Sequence, residues 1–168
     1  IQYIQNGDSD KKEQIDELNK YVQYEDKASV DQELGELQSI CGTAYRIIYT
    51  DGALADEVPF EEKSLNPATT FVVYENTIAE KPVLGVTYFD MYNDKGEKIA
   101  IHMYVYTEVG LYDVVTSDSL VIDEKSTITF SEYAVGGVPI IEYPNLVWRI
   151  GDWELCIDVM DAINALHS

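Results

Sequence analysis

The chain has 168 residues, a 46% apolar share and a formal charge of −20, from 31 acidic and 11 basic side chains. That length and apolar content are enough for one cored domain, or for one domain with a helical appendage. The charge excludes a basic groove that grips a phosphate backbone, which needs clustered Lys and Arg, and it fits a self-repelling surface.

Cys41 and Cys156 lie far apart, with no CxxC spacing and no His cluster nearby. On the apolar faces of predicted helices, both are expected to be buried free thiols. No run of 18 apolar residues occurs, so no membrane span is expected. The chain starts at Ile1 and stops in or just after a helix, as expected of a piece of a longer protein.

Residues 1–9 read as a frayed segment, with Ile1–Ile4 the end of a neighbouring element and Asn6–Ser9 a loop. Asp10 with Glu13 predicts a capped helix start, followed by the stripe Ile15, Leu18, Tyr21, Val22. A second helix is expected from Ser29, with Gln32 completing a Ser-x-x-Gln capping box. Its apolar face is Val30, Leu34, Leu37 and Cys41, and Gly42 is placed to end it. The short link Asp26–Ala28 makes the pair an αα-hairpin.

From Thr43 the hydrophobic period changes to 2. Ala44–Tyr49 is a predicted strand, Asp51-Gly52 a turn, and Val58–Glu61 a short edge piece limited by Pro59. Asn66-Pro67 marks another turn before the strand Thr70–Glu75. Two long strands follow, Pro82–Tyr92 and Lys98–Thr107, joined by the hairpin signal Asn93-Asp94-Lys95-Gly96. Leu111–Thr116, Leu120–Ile122, Thr127–Tyr133 and Val138–Tyr143 complete the predicted strands, with Gly136-Gly137 as a turn before the last. Asp152 is a predicted N-cap for a terminal helix with Glu154 in its first turn. The stripe Trp153, Cys156, Met160, Ile163, His167 lies beside Leu155, Val159, Ala162, Leu166, too broad an apolar face for a lone surface helix. Helices, then strands, then a helix indicate an α+β fold: an N-terminal helical pair, a mostly antiparallel β-sheet body and a C-terminal helix.

Catalytic and metal motifs are absent by spacing. There is no GxxxxGK[ST], GxGxxG or GxSxG. His102 sits mid-strand on the Tyr104/Tyr106 face, as a half-buried, tyrosine-paired histidine would. Asp90–Gly96 lacks the alternating oxygen ligands and closing Glu of a calcium loop. No catalytic, cofactor-binding or metal residue is therefore assigned.

The runs VPIIEYPN and RIGDWE, followed by a helix reading DAINALHS, resemble the phage portal protein family of the SPP1 type. ICGTAYRIIYTD resembles that family's segment after its helical pair. FVVYENT followed by KPVLGVTYFD is similar to its next two strands. The resemblance covers roughly residues 12 to 168, and it is weak before Asp10. It marks Tyr45, Pro139, Glu142, Tyr143, Pro144, Asn145, Arg149, Gly151, Asp152, Trp153 and Glu154 as family-motif residues. Family members often carry a polar Asn/Glu-rich run after the Pro-Asn turn, whereas Leu146-Val147-Trp148 here are apolar and only Arg149 keeps the basic position.

The resemblance implies a structural protein, not an enzyme, that forms a homo-oligomeric ring at one capsid vertex. DNA would be packaged and ejected through the ring without sequence-specific binding. The implied partners are the terminase, the capsid and head-completion proteins, with no cofactor and no membrane. The implied location is the virion, with assembly in the host cytoplasm, whether the parent is a phage or a prophage. Residues 10–152 would be a wing-like α+β domain, and 153–168 a helix leading toward the stem. Trp153, Cys156, Met160 and Ile163 would be a subunit or stem interface. Two other readings remain open: a small ligand-binding or hydrolytic α+β domain using His102 and carboxylates, and a generic protein-interaction module.

Overall fold

The structure is a computed structural model that describes residues 11–24, 27–49, 60–117, 120–133 and 136–167. The expected segment 1–9, the Asp10 cap, the Asp51-Gly52 turn and Val58-Pro59 lie outside the described residues, as do Asp26 of the helix link and the side chains of Tyr21, Val22 and His167. Helices α1 (Lys12–Tyr24) and α2 (Lys27–Cys41) come first. Strands β1 (Thr43–Tyr49), β2 (Glu61–Leu65), β3 (Thr70–Tyr74), β4 (Pro82–Tyr92), β5 (Lys98–Thr107), β6 (Gly110–Thr116), β7 (Thr127–Glu132) and β8 (Ile140–Pro144) follow. A single 3₁₀ turn, Glu154–Cys156, leads into α3 (Ile157–His167). The fold is α+β, as expected.

The strands form two antiparallel sheets, a three-stranded one in the order β2-β1-β8 and a five-stranded one in the order β3-β4-β5-β6-β7. The last strand therefore returns to pair with the first, Thr43 opposite Pro144 and Ile47 opposite Ile140. Alternation along β1 decides what packs where. Tyr45 and Ile47 face the larger sheet and join Ile140, Val72 and Tyr106 in an inter-sheet core. At Gly85 of β4 a Cβ would lie 2.9 Å from the Ile140 side chain, so the missing side chain lets the sheets meet. A second cluster, Val86, Met103 and Val114, fills the other face of the five-stranded sheet. Helix α2 covers β1 and β2 through buried Leu34.

Several expectations change. The α2 helix begins at Lys27, so Ser29 lies inside it and caps nothing, while Gln32 bonds Glu36 one turn on. Both cysteines are exposed. Cys41 is the last residue of α2, beyond the turn that packs on the sheet, and Cys156 sits in the 3₁₀ turn, whose main described packing partner is α3. The residues of Leu120–Ile122 form no strand and are exposed, because the described ladder of β6 runs to β7 instead. Asp152 caps no helix: the 3₁₀ turn has no side-chain cap, and the Asp152 carboxylate is used elsewhere.

Candidate functional site

The family-motif residues gather where α2 ends, β8 ends and α3 begins. Helix α2 leaves its last carbonyls without intrahelical donors, as every helix does. Gly42, at φ +75°, turns the chain out of the helix while its own N–H still bonds the Gln38 carbonyl at 3.0 Å. The next free carbonyls are bonded by residues far along the chain. The Asp152 N–H donates to Ser39 O at 2.8 Å, and the Trp153 indole N–H donates to Ile40 O at 2.9 Å. Asn145 N–H donates to Gly42 O at 2.8 Å, and the Gln38 amide donates to Pro144 O at 3.0 Å. The segment 145–153 is thus the C-terminal cap of α2.

Side chains lock the segment itself. Asn145 Nδ2 donates to Ile150 O at 3.0 Å and to Asp152 Oδ1 at 2.8 Å. Ser39 Oγ donates to the other Asp152 oxygen at 2.6 Å. These hydrogen bonds, Ser39 first and then Asn145, hold the Asp152 carboxyl below its ordinary range. Gly151 N–H donates to Glu154 Oε1 at 3.0 Å, and a Cβ at Gly151 would lie 2.5 Å from Ile40 O.

One strand face away, Glu142 points inward with its side chain only 5% exposed. Arg149 grips it through Nε at 2.6 Å and Nη2 at 3.1 Å. Tyr74 donates to it at 2.9 Å and Thr43 at 3.3 Å. Burial pushes the Glu142 carboxyl up, but the bonds from Arg149 and Tyr74 outweigh it and leave it below the ordinary range. Burial, and then its hydrogen bond to that carboxylate, push Tyr74 up to about 12. Of the remaining motif residues, Tyr45 is in the inter-sheet core, Pro139 accepts from Ile48 N–H at 3.1 Å, and Tyr143 lies under the Arg46 guanidinium at 5.5 Å.

Arg46 and its partners were not legible from the sequence. This buried guanidinium, side chain 6% exposed, pairs with Asp31 of α2 and with Glu62 of β2 at 3.0 Å. Lys27 reaches the same carboxylates at 3.2 and 3.5 Å. Burial raises the Asp31 carboxyl, and Arg46 and then Lys27 outweigh it and lower it. Two cations face two anions, so the buried charge is balanced across three elements.

His102 does lie among aromatic rings, with centroids 4.9 Å from Phe89 and 4.6 Å from Tyr104. Its Nε2 lies 2.5 Å from Asp113 Oδ1. A carboxylate–imidazole pair is one half of a nucleophile-activating arrangement. The cross-strand neighbours of His102 are Phe89 and Val115. Among the described residues, no group of three or more His, Cys, Asp or Glu is placed to hold a metal ion. No helix there is long and apolar enough to cross a membrane.

A family model described as phage portal protein, SPP1 Gp6-like, matches residues 1–168. The chain belongs to that family. The match extends through the N-terminal segment, where the motif likeness is weak. Portal proteins of this family have a structural phage role, are non-enzymatic in general, and are homo-oligomeric rings associated with the capsid of the virion. No curated protein matches the chain.

The structure brings Asn145, Gly151, Asp152, Trp153 and Glu154 together around the α2 terminus, and Glu142 with Arg149 beside them. It does not bring Cys156, Met160 and Ile163 to this cluster. They lie outward, exposed, on the 3₁₀ turn and α3. Ser39, Gly42 and Tyr74 are partners that sequence reasoning missed as site residues. Only Gly42 carried a signal, as a helix stop.

Proposed function

We propose that residues 10–152 form the wing body of a portal subunit and that 153–168 begin the helix running toward the stem. The subunit stands in a ring at one capsid vertex, through which a terminase motor drives DNA inward and from which DNA later leaves. Head-completion proteins bind the same ring. The chain hydrolyses nothing and contacts DNA without reading its sequence. Its place is the virion, after assembly in the host cytoplasm.

The observation that carries this reading is the family match over the whole chain. Two physical features support it. The described packing of α3 is mainly against its own 3₁₀ turn, and Leu155, Val159, Met160, Ile163 and Leu166 stay exposed. An eleven-residue helix is marginal alone in water and gains stability from tertiary contact. Trp153, Cys156, Met160 and Ile163 then form the surface toward the stem or a neighbouring subunit. The charge of −20 also suits a ring that must let a polyanion slide rather than hold it. Electron microscopy of the full-length protein tests the proposal. Rings are the expected result, and a stable monomer under assembly conditions refutes it.

A further inference from the structure

The apolar turn after β8 is held in a costly shape. Leu146 has φ +58° and Arg149 φ +53°, left-handed values that side chains other than Gly and Asn rarely adopt. The neighbours enforce that shape: Asn145 is bonded to Gly42, Ile150 and Asp152, and Arg149 is clamped on Glu142. The outcome is a rigid projection with Val147 87% exposed and Trp148 75% exposed. Strain sustained by surrounding bonds tends to mark a functional position. Tryptophan is also the residue type most often found as a binding anchor.

The opposite end of the same sheet holds a hollow. A cavity of about 310 Å³ opens between the two sheets, lined by Tyr49, Tyr106, Leu111 and Tyr133, with Ser131 and Glu132 also on its wall. The projection adjoins the Thr43 end of β1, paired with Pro144, and the cavity adjoins its Tyr49 end. The seven residues of β1 set these ends roughly 20 Å apart, so Trp148 cannot fill the cavity of its own chain.

We propose that Trp148 of one copy seats in this cavity of the next copy. The contact rests on the ring reading above and gives it a specific interface. A ring requires a heterologous contact, made by two different patches of one chain, and a knob and a hollow at opposite ends of one sheet are such a pair. The chemistry matches. The indole needs an apolar aromatic seat and an acceptor for its N–H, and Ser131, on the same strand face as Leu111 and Tyr106, supplies an oxygen beside the tyrosine rings.

The test uses the full-length protein with Cys41→Ser, Cys156→Ser and any further exposed cysteine replaced by Ser, since both thiols of this chain are exposed. In that background Trp148→Cys and Ser131→Cys are introduced singly and together, and the protein is mildly oxidised under assembly conditions. The double variant is expected to give a covalent ladder of dimers, trimers and larger species, and each single variant is expected to stay monomeric on a denaturing gel. Separately, Trp148→Ala should raise the concentration needed for ring formation about thirty-fold, the scale of a buried aromatic anchor. Rings that form normally with Trp148→Ala, or that give no ladder with the double variant, overturn the contact and leave the ring reading intact. Dimers from Trp148→Cys alone indicate a two-fold contact and also overturn it. Absence of rings from the unsubstituted protein overturns the ring reading, and the contact with it.

Discussion

Gly42→Ala is the sharpest probe of the joint between α2 and α3. A Cβ at Gly42 would lie 2.2 Å from the Arg149 carbonyl oxygen and 2.6 Å from the Ile150 carbonyl carbon, both backbone atoms that cannot rotate away. The residue also has φ +75°, which costs an L side chain about 1–2 kcal/mol. Relief of the clash must push the segment 145–153 off the helix end. That threatens the bonds from Asn145, Asp152 and Trp153 to Gly42, Ser39 and Ile40. At a net value near 1 kcal/mol per bond, the expected total loss is about 4–5 kcal/mol. In urea, with a slope of about 2 kcal/mol/M, the unfolding midpoint should fall by roughly 2 M. Gly96→Ala is the control: its φ is +77°, but nothing lies within 4 Å of the added Cβ. That variant should show the conformational cost alone, about 1–2 kcal/mol. Equal midpoint shifts for the two variants would mean that the α2 end and the 149–151 backbone are not in contact, and the account of the joint would fail.

Glu142→Gln should lower stability by about 1–3 kcal/mol at neutral pH, because the bidentate Arg149 bond loses its charge on one side while Arg149 stays half in water. Glu142 is held below its ordinary value of 4.5, so its contribution is present above that pH and is lost as pH falls through the lower folded value. Denaturant curves below that pH should therefore converge for the wild type and the variant. Arg46→Leu should cost about 3–5 kcal/mol, because it leaves Asp31 and Glu62 with Lys27 alone. Adding Glu62→Leu should recover part of that loss, and strict additivity in a double-mutant cycle would count against the network. Tyr106, pushed up to about 12 by burial and then by Tyr104, Tyr133 and Asp113, should resist alkaline ionisation. A raised tyrosine stabilises the fold below the ordinary value of 10, and that contribution is lost as pH rises toward 12. Ultraviolet phenolate absorbance should show a late fraction that Tyr106→Phe reduces.

Local chemistry was readable wherever it was local. The bounds of β4 and β5 follow from alternation and from the Asn93–Gly96 turn, and both strands span the expected residues. Gly42 ends α2 because a left-handed position favours glycine. The misses have long-range causes. Asp152 has the form of an N-cap, yet Ser39, 113 positions earlier, bonds its carboxylate. Arg46 reads as the polar half of an alternating strand, and only the packing of α2 shows it to be buried between carboxylates. Cys41 and Cys156 fit apolar stripes by spacing, but a stripe reports which side a residue is on, not whether anything covers it. The motif around Glu142 and Asp152 was legible as a pattern and illegible as a mechanism, because its partners Tyr74, Thr43 and Ser39 come from earlier elements.

Those partners separate two roles that the terminal stretch combines. The polar motif residues are turned inward on one another and on the end of α2, so little of their hydrogen-bonding capacity is left for an outside ligand. Glu142 is filled by Arg149, Tyr74 and Thr43, and Asp152 by Ser39 and Asn145. The apolar residues between and after them, Val147, Trp148, Leu155, Met160 and Ile163, are turned outward. The first group fixes a direction, since α3 leaves the body from a segment that is itself the cap of α2. The second group supplies the surface presented along that direction. Changes in the first group should therefore act through stability and geometry together, and changes in the second through association alone. A ring subunit needs that separation, because every copy must hold the same angle to its neighbours before any surface energy between copies can close the circle.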